Sequence, residues 1–337
     1  MMNSIERILT TLKFETPDRV PVIAQVFGHA AAVAGVNLGE YVRDGELLAR
    51  GQIRALDRYG YDAVFALMDT YVETEAVGSV LTYFDNKYPI VKSFVLSGDT
   101  DPDNLTVPGP HQDGRMPELL NAAGILRREV GDEVLVVGCV LGPVTLTTQL
   151  LGIEKALYLA IDDPEQFSRI LDFATDVVIR FGKAQLDAGV HLPLVFDPSA
   201  SPEVIPPQFF YEFELPRLTR LFSSLKEHGA VANWLHIAGP AGPILPYYPE
   251  AGVDIANFDY CVSPSVAQKA LPVTVLDGNI KPWSFVEATP ESVLLESTQL
   301  LDQFASRGGF ILSSGCEIPP ESRQENVAAM VMAARTG

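Results

Sequence analysis

Eight short apolar runs, separated by helical patterns, recur along this chain in a regular series. Most of these runs are nearly continuous in Val, Ile, Leu and Ala, without the polar alternation of a strand that faces water. Parallel strands that are buried on both faces have this composition. The runs are Val20–Gln25, Asp62–Asp69, Val134–Gly142, Leu192–Asp197, Val231–His236, Val253–Asp259, Val273–Asn279 and Gly309–Cys316.

Helical patterns fill the gaps between the runs. The segments Pro164–Ala188 and Pro206–His228 repeat apolar residues at helical spacing, and Ser263 and Thr289 each precede a proline in the manner of a helix N-cap. Strands and helices that alternate in this way predict a (β/α)₈ TIM barrel, an α/β fold. A doubly wound open sheet is the alternative, and the absence of a Gly-rich phosphate-binding turn disfavours it.

One stretch interrupts the series after the second run. Two strand-like runs, Val72–Phe84 and Tyr88–Leu96, flank the turn at residues 85–87, and a loop rich in Pro, Gly and Asp continues to Arg115. We expect a hairpin and loop insertion over residues 71–115. No internal repeat is visible, so one barrel domain is expected to cover residues 1–337.

The hydrophobic fraction and the net charge of the chain indicate which kinds of molecule it can bind. The chain has 47% hydrophobic residues and a formal net charge of −19, which together predict a compact globular protein that does not bind nucleic acid or an anionic membrane. Cys139, Cys261 and Cys316 are too few for a disulfide framework. The first residues form an amphipathic pattern rather than a signal peptide, and no apolar run approaches the roughly 18 residues of a membrane span. We therefore expect a cytoplasmic protein.

Polar residues stand at the ends of seven of the eight apolar runs. TIM-barrel enzymes carry their chemistry at the C-terminal ends of the strands, so these residues predict a polar pocket there. Any one of them could instead cap a helix or a turn. The set comprises Gln25, Asp69, Asp197, His236, Asn257, Asp259, Asp277, Asn279, Cys316 and Glu317, and Asn233 is added from within the fifth run.

The remaining histidines and cysteines carry weaker signals. His29, His111, His191 and His228 fall at loop or helix ends, where a solvated surface position is expected. Cys139 lies inside the third run and is expected to be a small core residue. Cys261, in the turn after the sixth run, fits either packing or the rim of a site.

Several motifs along the chain resemble those of one enzyme superfamily. Glu6-Arg7 with the segment 17–21 (PDRVP), Leu141-Gly142-Pro143 with the segment 149–152 (QLLG), and Asp197-Pro198 with Ser201 match its first, third and fourth strand regions. The most specific motifs are the segments 276–280 (LDGNI) and 314–320 (SGCEIPP). The chain resembles the uroporphyrinogen decarboxylase superfamily, and within it the corrinoid-dependent methyltransferase branch that includes the methylcobamide:coenzyme M methyltransferases. This resemblance covers nearly the whole chain and implies a (β/α)₈ barrel with its site at the strand C-termini.

The decarboxylase branch fits the sequence poorly. Such an enzyme needs an arginine-bearing segment after the first strand to hold a substrate with eight carboxylates, and residues 22–31 contain no arginine. A chain of net charge −19 would also repel a polyanion. The methyltransferase branch is therefore favoured.

The resemblance also implies a zinc site, which this chain matches only in part. The methyltransferases of this branch hold zinc through a His-x-Cys pair and a distant Cys. Here the pair reads His236-Ile237-Ala238, and Cys316 stands at the distant position. Two protein ligands hold zinc weakly, so we do not expect zinc. If zinc is present, His236 and Cys316 would be its ligands, with Glu317 or Asp259 as a further donor.

Loss of the metal suggests loss of the thiol acceptor, since a thiol must be deprotonated to become a nucleophile. The ring nitrogen N5 of tetrahydrofolate needs no such activation, and carboxylates and amides can pair with a pterin ring. We expect Asp197, His236 and Asn279 to act in catalysis. We expect Gln25, Asp69, Asn233, Asn257, Asp259, Asp277, Cys316 and Glu317 to bind substrate, and Phe196, Tyr211, Tyr247 or Trp283 to offer stacking surfaces.

The expected donor is a methylated corrinoid, methyl-Co(III) of the methylcobalamin type. It is too large to lie inside a filled barrel, so it should arrive on a separate corrinoid protein that docks over the strand C-termini. Three alternatives stay open: a zinc-dependent methylcobamide:thiol methyltransferase of the coenzyme M type, a uroporphyrinogen decarboxylase, and a non-catalytic corrinoid or folate binding protein.

Overall fold

A computed structural model of the chain describes residues 2–97 and 102–336. The strands are β1 (Ala63–Ala66), β2 (Val80–Thr82), β3 (Ile90–Ser93), β4 (Leu135–Leu141), β5 (Leu192–Phe196), β6 (Trp234–His236), β7 (Ile255–Asn257), β8 (Val275–Ile280) and β9 (Phe310–Ser314). The helices are α1 (Ser4–Leu12), α2 (Gly28–Ala34), α3 (Leu38–Tyr41), α4 (Gly45–Tyr59), α5 (Val72–Val77), α6 (Met116–Val130), α7 (Pro143–Leu151), α8 (Ile153–Asp162), α9 (Pro164–Asp187), α10 (Pro207–Phe209), α11 (Leu215–Glu227), α12 (Tyr248–Ala251), α13 (Pro264–Ala270), α14 (Ser284–Glu287), α15 (Pro290–Phe304) and α16 (Gln324–Thr336).

Seven of the strands form one parallel sheet in the order β1-β4-β5-β6-β7-β8-β9. The segment around Val22 closes this sheet into a barrel. On one side Ile23 N donates to Leu312 O at 3.0 Å, and on the other Asp62 N donates to Val22 O at 2.7 Å. The predicted (β/α)₈ barrel is confirmed, with helices packed around the sheet.

The first predicted strand, Val20–Gln25, does not form a regular ladder, so this element of the prediction is wrong. It makes a single bridge, between Val22 and Leu312. Pro21 has no N–H to donate, and Val22 N donates to the Asp62 carboxylate at 2.7 Å instead of to a strand. Arg7 and Arg19 each place a guanidinium nitrogen 2.7 Å from the same carboxylate. Side-chain contacts therefore replace part of the ladder at this seam.

Alternate strand residues form two separate layers. Phe65, Val137, Leu194 and Trp234 belong to an inner cluster that fills the barrel, and the residues between them pack outward against the helices. This alternation follows from the two-residue period of a strand. The barrel interior is thus a packed core rather than a channel, so we expect a ligand site above its last layer.

The insertion after β1 departs from its prediction. The sequence predicts a strand over Val72–Phe84, but the first half of this run is the helix α5. Tyr71, which precedes the helix, donates its backbone N–H to the Asp69 side chain at 2.8 Å. Gly78, with φ of 121°, ends the helix and reverses the chain. Only β2 and β3 pair as an antiparallel hairpin. Short local hydrogen bonds override the strand propensity of this segment.

Other sequence predictions agree closely with the structure. The seven later runs each overlap a barrel strand, Ser263 caps α13, and Thr289 caps α15. The helix predicted over Pro206–His228 is present but is interrupted by a π-helical turn at Phe210–Glu214. Within residues 2–97 and 102–336, no helix combines the length and the apolar character that a membrane span requires.

Candidate active site

A cavity of about 340 Å³ lies at the C-terminal ends of β1, β5, β6 and β9. Its volume is in the range of small-molecule sites. Most of its wall is apolar or aromatic, and the tip of the β2–β3 hairpin covers one side. The lining residues are Phe27, Leu67, Asp69, Thr70, Tyr71, Tyr88, Pro89, Ile90, Phe196, Pro198, His236, Ala238, Cys316 and Glu317.

Four of the polar residues predicted from the sequence reach this cavity: Asp69, His236, Cys316 and Glu317. They come from the ends of three different barrel strands, β1, β6 and β9. The arrangement of a few polar groups on an apolar wall is typical of a site that orients a small ligand. Phe196 also lines the cavity, whereas Tyr211 and Trp283 are exposed elsewhere.

His236, the last residue of β6, is 1% exposed and packs its ring against Phe196 with centroids 4.5 Å apart. Burial lowers the pKa of His236 to about 3, so the imidazole is neutral at pH 7. Neither ring nitrogen has a hydrogen-bond partner among the described residues. A buried polar group of this kind is expected to pair with a bound ligand, because leaving it unpaired is costly.

Glu317 lies at the edge of the cavity, three residues after β9. Its Oε1 accepts hydrogen bonds from the Tyr88 hydroxyl and from Gly28 N, the latter at 3.1 Å. Burial raises the pKa of the Glu317 carboxyl to about 7. This carboxyl can therefore gain or lose a proton near neutral pH, which is the property required of a general acid or base.

Cys316 also lines the cavity, and burial raises the pKa of its thiol to about 12. The side chain is therefore a neutral thiol at pH 7.

Asp69 is held by an arginine that the sequence analysis did not identify as a site residue. Arg115 places Nη1 2.5 Å from Asp69 Oδ2 and Nε 2.7 Å from Glu75 Oε2, and it donates to Val42 O at 2.7 Å. Arg115 is only 7% exposed, so these contacts are buried. They tie the end of β1 to the inserted helix α5. The arginine ends a loop rich in Pro, Gly and Asp, which is a weak sequence signal.

Asp197 does not line the cavity, contrary to its predicted place in the acceptor site. It is 0% exposed, and its Oδ1 accepts from Thr145 N at 2.8 Å and from Thr145 Oγ1 at 2.6 Å, which caps the start of α7. Its carboxyl also faces that of Glu214, and burial raises the pKa of both groups. The Asp197 side chain points into the fold because the backbone N–H and the hydroxyl of Thr145 both donate hydrogen bonds to it there.

Asn257 and Asp277 lie inside the barrel, beneath the cavity. Asn257 Nδ2 donates to Asp277 Oδ2 at 2.7 Å, and both side chains are 0% exposed. Burial raises the pKa of Asp277 to about 8, so the carboxyl is largely protonated at pH 7. These residues support the layer below the cavity and do not reach its lining.

Three further predicted residues are engaged with backbone groups at the strand ends. Gln25 Nε2 donates to Ser314 O at 3.1 Å, Asp259 Oδ2 accepts from Gly239 N at 2.9 Å, and Asn279 Nδ2 donates to Val262 O at 3.0 Å. None of the three belongs to the cavity lining. They join neighbouring strand ends and loops.

The prediction that Asn233 contacts substrate is wrong, because this residue lies at the N-terminal end of the barrel. Only the last three residues of the run Val231–His236 form a strand, and Asn233 precedes that strand. Its Nδ2 donates to Gly252 O at 2.8 Å, before β7 begins. The side chain therefore lies at the N-terminal end of the barrel, opposite His236.

The expectation that His29 is a solvated residue is also wrong. His29 is 1% exposed and bonds to Tyr59 Oη at 2.8 Å and to Pro320 O at 3.1 Å. His191 is half-buried and its Nδ1 accepts from Val136 N, whereas His111 and His228 are exposed. Cys139 is a buried core residue, as predicted, and Cys261 is exposed.

The donor atoms at the cavity do not fit a resident zinc ion. His236 and Cys316 both line the cavity, but Ala238, which lines it with them, offers no ligand atom. Within residues 2–97 and 102–336, no cluster of three or more His, Cys, Asp or Glu side chains is arranged to hold a metal. Structural and catalytic zinc sites need at least three protein ligands.

Comparison with known proteins agrees with this architecture. The family model described as uroporphyrinogen decarboxylase (URO-D) matches residues 3–337. A uroporphyrinogen decarboxylase of Syntrophotalea carbinolica is 29% identical over 87% of this chain and 84% of its own length. The methylcobamide:CoM methyltransferase MtaA of Methanosarcina barkeri is 27% identical over 97% of this chain and 96% of its own length.

A solved structure of a methyltransferase from Methanosarcina mazei superposes on this chain with a TM-score of 0.90 at 28% identity, covering 99% of each chain. A B12-independent methionine synthase from Shewanella superposes with a TM-score of 0.59 at 12% identity, covering 86% of this chain and 89% of that one, and so shares the fold alone. The resemblance inferred from the sequence motifs, to the corrinoid methyltransferase branch, is confirmed by these matches.

Proposed function

This chain belongs to the uroporphyrinogen decarboxylase family, and we propose on that premise that it transfers a methyl group from a methylated corrinoid to N5 of tetrahydrofolate. Relatives that are named methylcobamide:CoM methyltransferases match nearly the full length of the chain, which supports corrinoid-dependent methyl transfer. The corrinoid is carried by a partner protein, because a cavity of about 340 Å³ accommodates a small acceptor but not a corrin ring.

The observation that carries the choice of acceptor is Ala238 in the cavity wall beside His236 and Cys316. A thiol has a pKa near 8.5 and must lose its proton before it attacks, which a Lewis acid achieves near neutral pH. The alanine methyl group removes one of the three donors that such a metal needs. An amine nitrogen such as N5 carries a free lone pair and attacks without prior deprotonation.

Transfer of the methyl group to N5 releases one proton. The nitrogen of the acceptor forms a bond to the methyl carbon, the carbon–cobalt bond breaks, and the N5 proton must leave. The corrinoid supplies an electrophilic methyl group and takes up the bonding electron pair. Glu317, whose carboxyl has a pKa raised to about 7, is the group placed to accept the proton.

The other cavity residues orient the acceptor and exclude water. Phe27 and Phe196 offer apolar surfaces for a flat ring, and the neutral imidazole of His236 can donate or accept one hydrogen bond toward it. Arg115 compensates the charge of the Asp69 carboxylate, which lines the same cavity. These contacts orient the bound acceptor so that its nitrogen lies in line with the carbon–cobalt bond, as an in-line displacement requires.

The test is a turnover assay with free methylcobalamin and a series of acceptors. We expect tetrahydrofolate to be methylated, with coenzyme M and homocysteine reacting far more slowly, and activity to survive treatment with a chelator. The readouts are the absorbance change of the cobalamin and the mass of the methylated product. Faster turnover with either thiol would overturn the acceptor assignment.

A second candidate, a zinc-dependent thiol methyltransferase, is favoured by one observation: His236 and Cys316 line the same cavity. The variant Ala238→Cys would supply the third donor at a position that already faces this cavity. We expect it to bind about one zinc ion per chain and to gain thiol methylation, whereas Ala188→Cys, at the end of α9, does neither. Stoichiometric zinc in the wild-type protein, with activity lost on chelation, would make this candidate the better one.

Decarboxylation of a polycarboxylate is disfavoured by the composition of the cavity wall. Among the described residues that line it, Asp69 and Glu317 are acidic and none is a lysine or an arginine. Arg115, which contacts Asp69, is committed to Asp69 and Glu75. A substrate with several carboxylates would find repulsion here rather than charge-assisted pairing.

A further inference from the structure

A second cavity, of about 530 Å³, lies beside the cavity described above and shares the Tyr88 side chain with it. One wall consists of small residues of α2, namely Gly28, Ala31 and Ala32, and another consists of the hairpin tip, Asn86 to Tyr88. The proposed function uses only the first cavity and leaves this second one without a role.

A hydrogen-bonded cluster stands where the two cavities meet. The Tyr88 hydroxyl donates a hydrogen bond to Glu317 Oε1, and Gly28 N donates a hydrogen bond to the same oxygen at 3.1 Å. Glu317 lines the first cavity, Gly28 lines the second, and Tyr88 lines both. A Cβ atom at position 28 would lie 2.5 Å from the Tyr88 hydroxyl oxygen, so the close approach requires glycine. The two cavities therefore meet at the Tyr88 side chain, which lines both of them.

The outer wall of the second cavity is anchored to the body of the protein. Gly39 N donates to Asp85 O at 2.9 Å, and a Cβ atom at position 39 would lie 2.1 Å from Phe84 O. Leu38 N also donates to the Asn86 side chain at 3.5 Å. These contacts hold the hairpin tip against α3, so the space behind it exists without a ligand.

The chemistry of the lining selects a particular kind of ligand. The small side chains of α2 leave an even apolar wall that suits a flat ring. Two charged groups face the cavity, Lys87 and Glu321. Lys87 is exposed and takes part in none of the ion pairs found within residues 2–97 and 102–336, so its ammonium group is available to an anion. The matching ligand carries an aromatic ring and ends in an anionic group.

We propose that the second cavity binds the tail of the acceptor, an aromatic ring that ends in a carboxylate, while the nucleophilic ring lies in the first cavity. This inference rests on the proposed function, since the p-aminobenzoylglutamate tail of tetrahydrofolate has this chemistry. Glu317 stands at the junction of the two cavities, and the proposed binding mode brings the nucleophilic nitrogen to this junction. Lys87 then determines specificity for acceptors that carry the tail.

The experiment compares two acceptors that share the reacting ring. Tetrahydrofolate carries the tail, and 6-methyltetrahydropterin lacks it. We expect the wild-type protein to favour tetrahydrofolate in kcat/KM by about 10-fold or more, and Lys87→Ala to lower kcat/KM for tetrahydrofolate by about 5-fold. The same variant should leave the tail-less acceptor unchanged. Lys92→Ala is the matched control, since Lys92 is an exposed lysine of the same hairpin that lines neither cavity.

Two further arms separate the possible outcomes. Titration with p-aminobenzoylglutamate alone should show binding that Lys87→Ala weakens by a similar factor, and this arm holds even if no pterin is methylated and the proposed function fails. If both pterins react but Lys87→Ala changes them equally, the tail assignment is overturned while the proposed function stands.

The nucleotide of the corrinoid, an aromatic base with a phosphate, has the same general chemistry as the acceptor tail. Replacing methylcobalamin by methylcobinamide, which lacks that nucleotide, distinguishes the two. A Lys87→Ala defect that disappears with methylcobinamide would overturn the proposal, whereas a defect that persists supports it.

Discussion

Two carboxylates that follow barrel strands, Asp197 after β5 and Glu317 after β9, have opposite surroundings. Asp197 turns into the fold, where Thr145 donates to it twice. Glu317 remains at the cavity edge, where the Tyr88 hydroxyl and Gly28 N hold it. Asp197 follows β5 directly, and Glu317 lies three residues after β9. The donors that the rest of the chain brings to each position decide which of them is available to a ligand.

A polar residue at a strand end thus has two possible uses, and local sequence does not distinguish them. A carboxylate that completes a helix cap contributes to stability, because its loss leaves buried donors unpaired. A carboxylate held by one oxygen at a cavity can still exchange a proton with a ligand. The two sites should therefore respond differently to the same substitution.

The largest expected effect is on the rate of the variant Glu317→Gln. An amide cannot accept the N5 proton, so we expect kcat to fall by about 10²–10⁴-fold, with the fold and the acceptor affinity nearly unchanged. In the wild-type protein the rate should rise with pH through about 7, because the Glu317 carboxyl must be ionised to act as a base and its pKa is raised to about 7. The variant should lack this dependence.

The matched control for that variant is Glu250→Gln, an exposed glutamate of α12 outside both cavities. Its activity and pH profile should equal those of the wild type. A Glu317→Gln protein that keeps full activity and the same pH profile would show that proton transfer uses another group.

The next effect, on stability, concerns Asp197. In Asp197→Ala the N–H and hydroxyl of Thr145 lose their acceptor, so the free energy of unfolding should fall by about 2–4 kcal/mol. Asp197→Asn keeps an acceptor oxygen and offers the amide to Glu214, and it should cost less than about 1 kcal/mol. Denaturant unfolding and acceptor titration measure the two quantities.

Both Asp197 variants should bind tetrahydrofolate as the wild type does, because Asp197 does not line the cavity. A large loss of affinity in Asp197→Asn at normal stability would return this residue to the acceptor site, where the sequence alone had placed it.

The smallest expected effect is a pH dependence of stability from Asp277. Burial raises the pKa of the folded carboxyl to about 8, far above the ordinary value near 4 of the unfolded chain. The folded state therefore binds more protons than the unfolded state between these values. The contribution of Asp277 to the free energy of unfolding is therefore largest below about pH 4 and decreases as the pH rises toward about 8.

Asp277→Asn should remove this dependence. We expect the decrease in unfolding free energy between about pH 5.5 and pH 7 to be smaller in the variant by roughly 1–2 kcal/mol. Unfolding by urea at several pH values provides the measurement. Equal slopes for the two proteins would mean that Asp277 is ionised in the folded state.

The architecture could be predicted from the sequence because it depends on local periodicity. Apolar runs such as Leu192–Asp197 and helix starts such as Ser263 carry their own signals, and the structure confirms them. The exception at Val20–Gln25 arises because Pro21 and the Asp62 carboxylate take over the hydrogen bonds of a ladder. The helix α5 was missed because a short segment with β-branched residues gives no clear period.

The site could be predicted only in outline. His236, Cys316, Glu317 and Asp69 were identified by their positions at strand ends, and they do reach one cavity. The Tyr88–Glu317 contact joins residues 229 positions apart, and the Arg115–Asp69 pair joins residues 46 positions apart. Neither pairing has a local signature, so a single sequence does not disclose them. For the same reason the sequence did not show that Asn233, predicted within the fifth run as a substrate contact, precedes the strand Trp234–His236.

The seam between Val22 and Leu312 has a consequence for how the protein is made. The hydrogen bond from the Ser313 hydroxyl to Ile23 O joins residues 290 positions apart. The barrel therefore cannot close until β9 has left the ribosome. Until then the growing sheet keeps unpaired edges, at the segment around Val22 and at its most recent strand, which are open to pairing with other chains. Emergence of β9, rather than of any earlier strand, is the event that removes these edges.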